Sequence, residues 1–199
     1  MLNNLTLKRS AAMGIAALAA LTITAPHAYA GFIATIQEVG SNVVATGSGT
    51  INTSALTSAG AVGGNGFISS AAAILVFDVN PSAINLVRFN GVTGPASFGG
   101  LGQFIASSFA GSAVGINGNV GALAVPTGYV SGTALSATEI WNSTTIFALG
   151  ITPGTYTWTW GSGATADSFT ITTTPEPTSI VLVGSAMLGL LALRRRIAL

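Results

Sequence analysis

Residues 145–173 read TIFALGITPGTYTWTWGSGATADSFTITT. Within them Tyr156, Trp158 and Trp160 alternate with Thr155, Thr157 and Thr159. Successive side chains of a strand point to opposite faces, so one face here carries three large rings and the other three threonines. The whole stretch predicts a strand, a turn at Pro153 and Gly154, the aromatic strand, a Gly-rich loop and a final strand. The rings either form the core, with their polar atoms partnered, or present a platform on which sugars stack. Burial tendencies favour the core. The Thr face then meets water, as suits a residue that prefers strands.

The same period recurs towards the N-terminus. Phe32, Ala34 and Ile36 alternate with Ile33, Thr35 and Gln37; Gly40, Ser41 and Asn42 follow as a turn; Val43, Ala45, Gly47, Gly49 and Ile51 resume the alternation. This reads as a hairpin. Residues 71–79, AAAILVFDV, read as a buried strand in preference to a short helix, because the end is β-branched. Asn90-Gly91 predicts a two-residue hairpin, and Asn65-Gly66 and Asn117-Gly118 are further turn candidates. Residues 93–121 are rich in Gly and Ser, and read as long loops or short strands. Repeated turns without amphipathic helices predict an all-β domain over residues 31–174, a sandwich or jelly-roll-like fold.

The ends differ from this middle. Lys8 and Arg9 precede an apolar stretch, Pro26 ends it, and Ala28-Tyr29-Ala30 supplies a small-x-small site. These features predict a signal peptide over residues 1–30, cleaved before Gly31, and hence an export translocon and signal peptidase as partners. At the other end Pro175-Glu176-Pro177 precedes an uninterrupted apolar run, residues 180–193, and then Arg194, Arg195 and Arg196. At 1.5 Å per residue the run reaches roughly 21 Å, short of a hydrocarbon core of about 30 Å. It suits a temporary stop in the inner membrane better than a permanent anchor, and the arginines favour a cytoplasmic tail.

The order tripeptide, apolar run and arginine cluster over residues 175–199 resembles the PEP-CTERM protein-sorting domain. The resemblance implies that Pro175-Glu176-Pro177 is recognised by an exosortase, a membrane enzyme that removes the C-terminal transmembrane sorting helix. It also implies association with exopolysaccharide or biofilm material. Two prolines favour an extended segment that fits a protease-like cleft, with Glu176 as its one charge. The stretch PGTYTWTWGSGATADSFT is similar to the C-terminal half of one recurring, uncharacterised group of PEP-CTERM proteins, which implies a domain boundary and no activity.

Composition narrows the chemistry of the middle. The chain has 199 residues and no Cys, which excludes disulfides and thiolate metal sites. Between residues 31 and 174 Arg88 is the single cation against Glu38, Asp78, Glu139 and Asp167, a net charge of −3. No basic footprint for nucleic acid exists. This span has no His, Cys or Lys, and no G-x-S-x-G, P-loop or G-x-G-x-x-G, so the usual bases, nucleophiles and nucleotide cradles are missing. The expectation is no catalytic residue, no cofactor and no metal. Asp167 in a Gly/Ser loop is a minor calcium candidate. Asn52-Thr53-Ser54 and Asn142-Ser143-Thr144 have the form of glycosylation sequons.

The leading expectation is an exported, non-enzymatic surface or extracellular-matrix protein of a bacterium with two membranes. One alternative is a carbohydrate-binding module using Tyr156, Trp158 and Trp160. Another is a glycan-active hydrolase, which needs two of the four acids brought together in a cleft.

Overall fold

The hairpin read from the N-terminal alternation forms as expected in the computed structural model, which describes residues 31–63, 65–78 and 85–174. Strand β1 (Phe32–Val39) pairs antiparallel with β2 (Asn42–Thr50) from Phe32↔Gly49 to Val39↔Asn42. Gly40 turns the chain at φ +61°, a conformation that glycine adopts without steric cost. Phe32, Ala34, Ile36, Val43 and Ala45 are fully buried, while Ile33 and Gln37 face out.

Eleven further strands follow among the described residues: β3 (Thr57–Val62), β4 (Phe67–Ser69), β5 (Ile74–Phe77), β6 (Leu86–Asn90), β7 (Gln103–Ile105), β8 (Ser108–Gly111), β9 (Val114–Asn117), β10 (Ala122–Pro126), β11 (Ala134–Trp141), β12 (Gly154–Trp160) and β13 (Asp167–Thr174). They make two sheets, ordered β12-β13-β1-β2-β11-β8 and β3-β6-β10-β9-β5-β4-β7. Strands β1 and β13 pair in parallel, and the other strand pairs are antiparallel. Between the sheets lies one apolar cluster, to which Phe32, Trp141, Trp158 and Phe169 contribute from the first sheet and Leu75, Phe77, Ile116 and Leu123 from the second. The Phe32 and Phe77 rings meet edge to face across the gap at 6.2 Å. The fold is an all-β sandwich.

The aromatic strand turns its rings inward. Trp158 is 0% exposed, Trp160 4%, and Tyr156 is half-buried, whereas Thr155, Thr157 and Thr159 face solvent. Each ring's polar atom is satisfied. Trp158 Nε1 donates to Pro95 O at 2.8 Å, Trp160 Nε1 to Asn52 O at 2.7 Å, and Tyr156 Oη to Thr152 O at 2.8 Å. Trp158 also packs edge to face on Phe169. Its indole fills a slot between Gly94 and Gly118, where a Cβ at either position would overlap the ring.

Three local expectations are corrected. Residues 145–151 form no strand. They make a tight turn closed by Leu149 N–H to Thr145 O and Gly150 N–H to Phe147 O, so that Ile146, Leu149 and Ile151 are buried and Phe147 points out. Asn90-Gly91 makes no hairpin, because β6 lies between β3 and β10 and the Gly91 and Val92 N–H groups both bond Gly121 O. Residues 71–79 divide: a 3-10 turn over Ser70–Ala72 and left-handed Ala73 precede β5. The Asn117-Gly118 turn does form, as a four-residue loop joining β9 to β10.

Replacing Trp158 with Ala removes a fully buried ring and orphans the Pro95 carbonyl. The expected loss is about 3–5 kcal/mol, a large part of a typical domain's stability. Thermal denaturation of the variant beside the parent measures it; an unchanged melting temperature would show that the ring is not core.

Candidate functional site

The four acids of the domain settle in three places. Glu38, at the end of β1, accepts the Ile146 N–H at 2.7 Å and fixes the tight turn after β11. Asp167 opens β13 and accepts two backbone N–H groups, from Asn52 at 2.5 Å and from Ser168 at 2.8 Å. Burial raises its carboxyl above the ordinary carboxylate value, while these two bonds pull it back. With both oxygens bonded inside the fold, Asp167 acts as a clasp.

The clasp belongs to a larger polar knot. Asn52 is itself buried. Its side chain donates to Ala164 O and accepts from Ser131 Oγ and the Ser54 N–H. Tyr129 Oη accepts the Ile51 N–H and donates to Thr133 O. The Asn52 sequon is thus part of the interior, whereas Asn142 lies exposed in the turn after β11.

Asp78 and Glu139 are brought together. Glu139 comes from β11 in one sheet and Asp78 from the end of β5 in the other, and the Asp78 N–H donates to Glu139 Oε1 at 3.2 Å. Asn85 Nδ2 donates to Asp78 Oδ1 at 2.7 Å. Gly66 lies against the carboxylate so closely that a Cβ there would overlap Glu139 Oε1. Both acids are 0% exposed. The pair that a glycan hydrolase needs therefore exists, but its carboxyl groups are sealed from any sugar in solution. Burial is the main reason that the Glu139 carboxyl is pushed up to about 8; the Asp78 N–H opposes the rise and the Asp78 charge adds to it. Sequence reading missed this pair because 61 residues separate the partners.

The core reading of the aromatic strand holds, and the alternative of a sugar platform on Trp158 and Trp160 does not. The rings of Trp158 and Trp160 have their faces in the core, and the outward side of β12 carries hydroxyls. A row of five threonines crosses the sheet in register: Thr155, Thr172, Thr35, Thr46 and Thr138. Thr35, Thr46 and Thr138 line a shallow groove of about 640 Å³ with Ile33, Ser48 and Ser136, and no charged residue borders it.

The two expected processing sites flank the described sandwich in the sequence. Ala28 and Ala30 lie outside the described residues, as do Pro175, Glu176, Pro177, residues 180–193, Arg194, Arg195 and Arg196. Gly31 is described and is held firmly: its carbonyl accepts the Thr50 N–H, its φ is +60°, and a Cβ there would press on Ser168. At the other limit β13 pairs with β1 as far as Gln37↔Thr174. Residues 173–196 match the family model of the PEP-CTERM protein-sorting motif. The chain carries a PEP-CTERM sorting motif. No curated protein and no solved structure matches the chain. The motif suggests an exported protein that is processed by an exosortase, a membrane enzyme. No helix among the described residues is long and apolar enough to cross a membrane.

The acid pair has a consequence for stability. Between the ordinary glutamate value of 4.5 and about 8, the folded chain holds a proton on Glu139 that the unfolded chain has released. Folding stability therefore falls as pH rises through that window and levels off above it. Asp167, also raised, acts in the same direction at the acid end. With a chelator present, the melting temperature is expected to drop between about pH 5 and pH 9. Glu139→Gln, which cannot ionise, should remove most of the drop; an equally steep profile in that variant would refute the assignment.

Proposed function

We propose that this PEP-CTERM protein is a non-enzymatic component of the cell surface or extracellular matrix. It is exported behind residues 1–30, held in the inner membrane with residues 31–174 facing outward, and released by cleavage near Pro175-Glu176-Pro177. The observation that carries this reading is the continuity between fold and motif: the sorting match begins at residue 173, within the last hydrogen-bonded strand. A folded sandwich is thus joined to the signal without a spacer. The chemistry of the domain supports a non-catalytic role, since it has no His, Cys or Lys, and its one close acid pair is buried.

An association with neutral exopolysaccharide finds support on the outer face of the first sheet. Hydroxyl groups donate and accept hydrogen bonds, and the threonine methyls with Ile33 offer apolar contact to the C–H faces of a sugar. A net charge of −3 between residues 31 and 174 disfavours anionic polymers.

Two measurements test the processing. Mass spectrometry of the mature protein should find Gly31 at its N-terminus and no residue of the 180–193 run. Replacing Pro175, Glu176 and Pro177 together should leave the full-length precursor in the inner-membrane fraction. Release of the triple variant at the parental level would overturn the sorting reading.

A further inference from the structure

The chain leaves the described sandwich among exposed apolar side chains. At the end of β13, Thr173 is buried beside Gly154, whose N–H donates to Thr173 Oγ1 at 2.7 Å. Thr174 follows, beside Gln37 and close to the β1–β2 turn. Val39, two residues beyond Gln37, is exposed. The tight turn of residues 145–151 is tied to the same hairpin by Ile146 N–H to Glu38 Oε1 and Thr144 N–H to Ser41 O. It turns Phe147 outward, 89% exposed, and its Gly150 lies against the exposed Leu101. Leu101, Phe147, Ala148 and Ile151 line an open pocket of about 410 Å³ that no charged residue borders.

Large apolar side chains scattered singly over a surface need no explanation, but a group of them marks a contact. Two features decide which contact. The first is the tether. Residues 175–179 alone separate Thr174 from the apolar run of residues 180–193, and five residues span at most roughly 18 Å. Once that run is in a bilayer, this end of the sandwich cannot stand far from the lipid headgroups. The second is the backbone of the turn. Ala148 N–H donates to Thr145 Oγ1, Leu149 N–H to Thr145 O and Gly150 N–H to Phe147 O. A loop whose N–H groups are bonded internally enters an apolar layer at lower cost.

We propose that Phe147, with Leu101 and Val39, docks the sandwich on the outer surface of the inner membrane while the precursor is held there. The inference rests on the membrane-held precursor proposed above. The partner is the lipid surface itself, entered by apolar side chains at its headgroup layer. No charge enters the contact, since the pocket is uncharged and Glu38 is bonded to the Ile146 N–H. Neutral lipid therefore suffices, and salt leaves the contact intact. Docking keeps Pro175-Glu176-Pro177 at the surface of the membrane in which its processing enzyme resides.

The chain has no Cys, so a single one can be introduced and spin-labelled. The full chain, made in a host without an exosortase, is assembled into phosphatidylcholine nanodiscs. A label at Ala148→Cys should be relaxed by oxygen, which concentrates in lipid, and shielded from a water-soluble nickel chelate. A label at Val130→Cys, exposed at the opposite end of the first sheet, should show the reverse. Phe147→Ser should shift the ratio of docked to free sandwich about tenfold towards water. Val39→Ser should act in the same direction, which keeps the test informative if the first variant folds poorly. A chain that elutes with the discs while Ala148 stays open to the chelate would overturn the contact alone. Protection of Ala148 from both reagents would place protein there, such as a second copy, and overturn it equally. A chain that does not elute with the discs would overturn the membrane-held precursor and the contact together.

Discussion

The parallel pairing of β1 with β13 holds the structure together. It joins the first and last strands of the described domain, from Phe32↔Phe169 to Gln37↔Thr174. Without it the six-stranded sheet would divide into the pair β12-β13 and the group β1-β2-β11-β8. The rings along this seam reinforce it, with Phe32 and Phe169 4.9 Å apart and Phe169 against Trp158. Parallel neighbours need a long connection, and here nearly the whole domain supplies it. The contact is therefore among the most non-local in the fold, and its loop-closure cost falls on the last strand to be made.

Because β1 and β13 run the same way, the chain enters this sheet at one end and leaves at the other, about 20 Å away at strand spacing. Gly31 sits beside Ser168, whereas Thr174 sits beside Gln37 near the β1–β2 turn. The end that leads to the sorting motif is thus separate from the end that follows residues 1–30. Under the export route proposed above, the sheet cannot be completed until residues 167–174 have crossed the membrane. The residues that come next are those the exosortase reads. Completion of the fold and presentation of the motif are tied by the order of the chain alone.

What the sequence disclosed follows from how local each feature is. The alternation at 32–51 and 155–160 is a property of consecutive residues, so the hairpin and the two faces of β12 were legible. The choice between core and sugar platform for Tyr156, Trp158 and Trp160 was not settled by period. It depended on Gly94, Gly118 and the Pro95 carbonyl, which arrive from distant segments to enclose Trp158. Asn90-Gly91 misled because a turn signal specifies local backbone conformation and not the partner strand. Tertiary pairing put β3 and β10 on either side of β6. The stretch 145–151 misled because its apolar residues are buried by a turn pinned to Glu38, a contact spanning 108 residues. The sorting motif was the most legible element of all, since a membrane enzyme must read it as linear sequence.

The acids show how a domain with one cation manages negative charge. Glu38 and Asp167 are satisfied by backbone N–H groups, which carry no charge and are available wherever a turn or strand end leaves one spare. Such bonds stabilise the ionised form and offset part of the cost of burial, which is why Asp167 is raised only against these opposing bonds. Glu139 receives one N–H of this kind, from Asp78, and the same residue brings a second carboxylate beside it. That one bond does not offset the burial of Glu139, and its carboxyl is raised. A carboxyl raised in this way keeps its proton in the folded chain over a range in which the unfolded chain has released it, and this makes the junction between the sheets sensitive to pH. Under the export route proposed above, this junction is a point at which the pH outside the cell acts on the fold.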